Sequence, residues 1–260
     1  CIIDDVRQLA AEGYKEITLL GQNVNSYGKD LGTGYDFADL LSALDEIPGD
    51  YLIRFMSSQP KDASFKLFDT MARCKHVAKQ LHLPVQSGCD RVLRAMNRPY
   101  DKARYLELIT YARKVMPELV LTSDVIVGFP GETEADFRTT YEFLERLAPA
   151  YLHIFPFSER SGTPAVDFPD KVQPSVATRR VEELEKLCRW LHGEFCARAE
   201  GTTDEVLFES TMRGGMMFGY TGNYRRVKVL YDRSRINTIC RVRLGRMDDA
   251  NDLEGEIVDN

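Results

Sequence analysis

The residues that could do chemistry in this chain sit in four short loops and one basic stretch. The loops read GQN at 21–23, SSQP at 57–60, QSG at 86–88 and GFPGET at 128–133. Short amides and hydroxyls beside glycine suit a polar small-molecule site, and glycine lets the backbone come close to a ligand. A plainer role competes at each: loop capping for Gln22 and Ser57, and turn geometry for Gly128, Pro130 and Gly131 ahead of a helix with Glu132 in its first turn.

The metal-binding and nucleophilic side chains are scattered. Six cysteines stand at 1, 74, 89, 188, 196 and 240, and four histidines at 76, 82, 153 and 192. No Cys-x-x-Cys occurs, and the histidines do not cluster with the thiols in sequence. Cys74, Cys188, Cys196 and Cys240 read as reduced, buried thiols. Cys188 and Cys196 share one face of an expected helix, but two thiols alone make a poor metal site. Cys89, directly after QSG, reads as a helix-start residue, and His82 in LHLPVQ reads as a core histidine or a site residue. A nucleophile elbow, a lysine late in a strand and a His/Asp metal set are all missing from the pattern. That argues against a barrel of hydrolase or aldolase type.

The basic stretch spans 213–246. It holds nine Arg or Lys (213, 225, 226, 228, 233, 235, 241, 243, 246) against Asp232, a local balance of +8 in a chain whose formal net charge is −6. Phe218, Tyr220, Tyr224 and Tyr231 are interleaved with the charges. Positive charge attracts phosphate and aromatic faces stack on bases, so this stretch reads as a surface for single-stranded RNA, against a solvated basic β face. Arg225, Arg226, Lys228, Arg241 and Arg243 are the candidate phosphate contacts. Arg54 and Arg98 could meet RNA phosphates or a cofactor carboxylate, or form ordinary ion pairs.

These residues need elements to position them. A helix over 3–13 opens the chain, and strand-like runs follow at 16–21, 51–58, 79–86, 119–129 and 151–158, with helical stretches at 36–47, 62–74, 89–97, 101–116 and 134–147 between them. Such alternation predicts parallel pairing, and ligand loops then fall at the carboxyl ends of the strands, where the four loops stand. A complete barrel needs eight strands, so the expected fold is α/β with a partial (βα) barrel over 1–171. A long amphipathic helix over 172–201 comes next. From 202 to 260 the period shifts to two, with five short strands and glycine-rich turns, which predicts a small all-β barrel. No window approaches about 18 uncharged apolar residues and no secretory leader pattern opens the chain, so the expectation is a cytoplasmic protein without a membrane span.

In combination and order, ITLLGQNVNSYG, RFMSSQPKD, LHLPVQSGCDRVLRAMNR and LTSDVIVGFPGETEADF resemble the radical S-adenosylmethionine methylthiotransferases that modify tRNA. The C-terminal basic section resembles that family's TRAM domain, and the resemblance covers nearly the whole chain. It implies a partial barrel of the radical SAM type, S-adenosyl-L-methionine and two [4Fe-4S] clusters as cofactors, and an electron donor. The partner is the tRNA anticodon stem-loop, and a monomer is the favoured state. Gln22, Ser57, Ser58, Gln86, Ser87, Asp124 and Gly128 are the implied cofactor-binding residues. Both cysteine sets that the resemblance implies, three in an amino-terminal domain and a Cys-x-x-x-Cys-x-x-Cys loop, are missing from the 260 residues. Cys1 then stands as a remnant of that loop or a boundary residue, the one metal-ligating candidate left. The expectation is a chain inactive alone and a catalytically competent complete protein, since the cofactor carries the hard step.

The resemblance divides on the substrate base. LLGQNVNSYG and SSQPKDASFKLFDTMARC resemble the branch that adds a methylthio group to C2 of N6-isopentenyl(dimethylallyl)-adenosine beside the anticodon. FLERLAPAYLHIFPFSERSGTPA and MMFGYTGNYRRVKV are nearer the branch acting on N6-threonylcarbamoyl-adenosine. Loops near the chemistry weigh more, so the first is expected and the second is the alternative. A non-catalytic RNA-binding protein with a degenerate radical domain is the further alternative.

Overall fold

The computed structural model describes residues 1–258. Helix α1 (Ile2–Ala11) leads into five βα-type units: β1 (Glu16–Leu19), α2 (Phe37–Asp45), β2 (Leu52–Phe55), α3 (Phe65–Arg73), β3 (Gln80–His82), α4 (Asp90–Ala95), α5 (Lys102–Val115), β4 (Val120–Val127), α6 (Glu134–Leu147) and β5 (Tyr151–Pro156). The helices start where the sequence supplies caps. The Asp36 carboxylate accepts from Asp39 N–H, the Asp101 carboxylate from Arg104 N–H and the Thr133 hydroxyl from Asp136 N–H. Apolar residues three and four apart, such as Leu40, Leu41 and Leu44 of α2, then turn one stripe inward.

All five strands are parallel. β1 pairs with β2 in the register Ile17↔Ile53, and β3–β4–β5 form a second sheet with Leu81↔Leu121 and Asp124↔His153. A single bridge, Ile53↔Val77, joins the two into one partial barrel. Ile17, Ile53, Leu81, Leu121, Val125 and Leu152 turn toward the helices and form the main core with them. The third strand is shorter than the expected 79–86. Pro84 has no N–H for the ladder, and pairing resumes only where Gln86 N–H donates to Asp124 O at 2.9 Å.

The long helix α7 (Pro174–Ala197) starts at a proline and packs on β5. Its last turn, with Phe195, Cys196 and Ala199 just beyond it, belongs to a second core. That core fills a closed barrel of β6 (Thr203–Arg213), β7 (Met216–Thr221), β8 (Arg226–Leu230), β9 (Ile239–Met247) and β10 (Leu253–Ile257), in the order β10-β8-β7-β6-β9. Alternation seats Val206, Phe208, Val227, Val229, Val242 and Leu244 inside. The fifth expected strand ends within the described residues, and Asp259 and Asn260 lie outside them.

Candidate active site at the strand ends

The sequence-predicted residues fall into four places rather than one. Gln22, Ser57, Ser58 and Gln86 line a cleft of about 170 Å³ at the carboxyl ends of β1, β2 and β3, with Gln59, Pro60, Lys61, Arg98 and Tyr100 completing its wall. Two observations mark this cleft. Ser57 at φ +63° and Gln86 at φ +67° hold left-handed backbone without being glycine, which costs about 1–3 kcal/mol each and collects at ligand sites. Ser58 Oγ and Arg98 Nε are buried without a hydrogen-bond partner among the described residues, a state that a polar ligand would relieve. Behind them the Tyr100 hydroxyl donates toward Pro84 O and Val85 O at 3.3 Å, and burial pushes its pKa up to about 12.

Ser87 supports the loop from behind. Its hydroxyl is fully buried, 3.1 Å from Thr140 Oγ1, and accepts from Cys89 N–H. Gly88 beside it has no room for a side chain: a Cβ would lie 2.6 Å from Phe143 Cβ and 2.9 Å from Thr140 Cα. The glycine thus lets the 86–88 loop lie directly on α6, which fixes where Gln86 emerges. Cys89 is the N-cap residue of α4 and bonds Asp136 through its thiol, and burial raises its pKa. It is a helix-start residue, as the sequence reads.

Gly128 lines a separate cleft against α7, with Pro130, Pro156, Phe157 and Ala177. Its N–H donates to Glu132 Oε2 at 2.6 Å, and Glu132 in turn pairs with buried Arg180 at 2.6 Å. Asp124 lies on the helix-free face of β4, between His82 and His153. That grouping corrects the expectation that no His/Asp set exists. The three come from strands about 30 to 40 residues apart, so no local spacing announces them.

The basic residues are less free than their count implies. Six acids follow the 213–246 window, at 248, 249, 252, 254, 256 and 259. β10 brings several of them back onto the arginines. Lys228 pairs with Asp248 at 2.6 Å, Arg226 reaches Asp252 at 3.4 Å and Arg243 bonds Glu256. Arg225 turns inward, within 3.4 Å of Phe195 O and 4.0 Å above the Phe195 ring. Arg241 projects outward from β9. Phe218 is buried under Arg226, so it is core and not a stacking platform. Arg54 forms the ion pair that the sequence left open, but buried rather than at the surface. It is buried, its guanidinium bonds Glu16 Oε2 at 2.8 Å, Gly222 O at 2.8 Å and Thr221 O at 3.2 Å, and it covers the Tyr224 ring at 3.7 Å. It joins the two barrels.

A family model described as the radical SAM superfamily matches residues 2–144. The chain belongs to the radical SAM superfamily. It is 40% identical over 245 residues to a tRNA-2-methylthio-N(6)-dimethylallyladenosine synthase of Clostridium botulinum (strain Loch Maree / Type A3), covering 94% of this chain and 54% of that protein. It is 42% identical over 260 residues to the protein of the same name from Thermoanaerobacter sp. (strain X514), covering 99% and 55%. The chain thus spans about half the length of the curated relatives it matches. Among solved structures, the radical SAM enzyme coproporphyrinogen III oxidase of Escherichia coli superposes with a TM-score of 0.55 at 16% identity, over 90% of this chain and 65% of that one. That likeness carries the α/β partial-barrel fold, and the closed β barrel is read from this chain's own strand pairing.

The cofactors named by the superfamily can be set against the residues present. The cleft with its orphaned Ser58 Oγ and Arg98 Nε fits a hydrogen-bonding ligand, and its volume admits one end of S-adenosylmethionine rather than the whole. The cysteines do not fit an iron–sulfur cluster. Cys1 is exposed, the other five are buried, and no three gather among the described residues.

Proposed function

We propose that this chain is the S-adenosylmethionine-binding and RNA-binding part of a tRNA methylthiotransferase that acts on C2 of N6-dimethylallyl-adenosine beside the anticodon. The observation that carries the reading is identity of about 40% running through both barrels to synthases of that name. In this reading Gln22, Ser57, Ser58, Gln86 and Arg98 hold the cofactor at the strand ends. Ser57 and Gln86 present side chains from strained backbone, and Ser58 and Arg98 offer buried polar atoms. S-adenosylmethionine, when bound, supplies the radical precursor and the methyl group. The described cysteines do not gather, so this reading assigns no cluster ligand among them.

Arg241 and the outward faces of Arg226, Lys228 and Arg243 support a role in drawing tRNA phosphate toward the site, with ion pairs to the acids of 248–256 exchanged for pairs to phosphate. Arg225 and Arg54 hold the β barrel in place.

A chimera tests the proposal. The matching 260 residues of the Thermoanaerobacter synthase would be replaced by this chain, and the protein reconstituted anaerobically with tRNA carrying N6-dimethylallyl-adenosine. The expected product is the nucleoside with a methylthio group in place of hydrogen at C2. Modification only of tRNA carrying N6-threonylcarbamoyl-adenosine would reassign the substrate. Tight tRNA binding with no methylthiolated nucleoside of either kind would favour the RNA-binding alternative.

A further inference from the structure

The three residues that the proposed cofactor cleft leaves unused make a compact donor set on the helix-free face. His82 ends β3, Asp124 stands mid-β4 and His153 lies opposite Asp124 on β5. Asp124 Oδ1 is 3.4 Å from His82 Nε2 and 3.0 Å from His153 Nδ1, and the three donor atoms all lie within 4.8 Å of one another. We infer that His82, Asp124 and His153 bind a divalent transition-metal ion.

The spacing suits an ion without moving a strand. Tetrahedral coordination with bonds of about 2.0–2.1 Å sets neighbouring donor atoms about 3.3 Å apart, so small side-chain rotations suffice. The second layer is also in place. His82 Nδ1 lies 3.0 Å from Thr122 Oγ1, which has Gln80 Nε2 at 3.4 Å on its other side. A ligating histidine usually donates its second ring N–H to an oxygen, which fixes the tautomer and turns the other nitrogen's lone pair to the metal. Thr122 Oγ1 is placed to accept that N–H from His82.

Two imidazoles and one carboxylate favour zinc, cobalt or ferrous iron over the all-oxygen ions calcium and magnesium. Three protein ligands also leave at least one coordination position free. That position opens outward, since His153 is 45% exposed beside the half-exposed rings of Tyr151 and Phe155. It lies close to the cofactor cleft, because the Asp124 carbonyl accepts from Gln86 N–H. Without an ion, His82 Nδ1 lies against Thr122 Oγ1 at 3.0 Å, His153 Nδ1 bonds Asp124 Oδ1 at 3.0 Å, and His82 Nε2 stands 3.4 Å from that carboxylate. The site therefore has two states that a titration separates.

Cobalt(II) added to the chelator-treated, reduced 260-residue chain is the probe, read by visible absorption. The expected result is saturation near one equivalent with ligand-field bands of a low-coordinate nitrogen–oxygen site and no thiolate charge-transfer band. His153→Ala, at a half-exposed position, and Asp124→Asn should remove the bands while circular dichroism stays unchanged. Thr122→Val should weaken binding by about 10- to 100-fold through the lost second-layer contact. No cobalt uptake by the unsubstituted chain would leave only the hydrogen-bonded network and overturn the inference. So would a thiolate charge-transfer band, or His153→Ala binding as tightly as the parent.

Discussion

In the α/β region the strands are parallel, the sheet is open and helices cover one face, whereas in the C-terminal region five strands close on themselves. Closure leaves no edge and turns every inward side chain into core. The open sheet does neither. Leu20 beyond β1 is 75% exposed, and Tyr151 and Phe155 on β5 are nearly half exposed. Polar groups that would be costly in a closed interior sit on that open face, including Asp124, His82 and His153. The closed barrel instead carries its charge outside and pairs much of it with its own acids. Titratable side chains group where the sheet is open, and the closed barrel neutralises much of its own surface charge.

The junction is the place to break the comparison with the largest effect. Arg54→Met would leave Glu16, Thr221 O and Gly222 O without the guanidinium that binds all three. The expected loss is about 3 kcal/mol in denaturant unfolding, with the two barrels melting in separate transitions. Arg54→Lys should rescue little, since one ammonium cannot reproduce the fork. A loss below about 1 kcal/mol would mean that the barrels dock by other contacts. Inside the closed barrel the sensitive point is Gly255, where a Cβ would stand 2.7 Å from Val227 Cγ1 and Val242 Cγ1. Gly255→Ala should cost about 1–3 kcal/mol by overpacking. S-adenosylmethionine binding in the strand-end cleft should stay as it was, and altered affinity would show that the two regions are not independent.

The order of strands and helices is legible from hydrophobic period, and the four loops are legible as strand-end loops because parallel strands place them at one end. Gln22, Ser57, Ser58 and Gln86 do meet in one cleft. Ser87 and Gly128 share those loops but lie outside that cleft, Ser87 against Thr140 and Gly128 N–H on Glu132, a separation that loop position alone does not show. Arg54 reads like a surface arginine because its partners at 221 and 222 are far away in sequence. The basic stretch misleads for the same reason. A charge count over 213–246 stops before Asp248, and antiparallel return of β10 is what places the acids against the bases. Long-range pairing hides most of what the sequence conceals.

A pH titration separates local from global stability in the open region. Asp136 accepts hydrogen bonds from Arg91, from Thr133 N–H and hydroxyl, and from Cys89, and these, Arg91 first, hold its carboxyl well below the usual carboxylate range. A depressed folded pKa gives stability that is present above the ordinary Asp value of about 3.9 and lost as pH falls below it. Asp136→Asn should therefore cost about 1 kcal/mol at neutral pH and flatten the acid limb of the stability curve. An acid limb unchanged in the variant would assign it to other carboxylates.

The smallest effect is the most telling about the cleft. Ser57 holds φ +63° with no glycine to ease it, and left-handed backbone costs an ordinary residue about 1–2 kcal/mol. Ser57→Gly removes that strain but also loosens the unfolded chain, which takes back about 0.4–1 kcal/mol. The net change should be a gain below about 1 kcal/mol in unfolding free energy. If the strain exists to aim the Ser57 hydroxyl into the cleft, the same substitution should weaken S-adenosylmethionine binding while stability holds or rises. Ser57→Ala keeps the backbone and removes only the hydroxyl, so it separates the two contributions. Glycine weakening binding more than alanine would show that the backbone is held for the ligand. Equal losses would place the whole effect in the hydroxyl, and no loss in either would make the left-handed turn a feature of the fold alone.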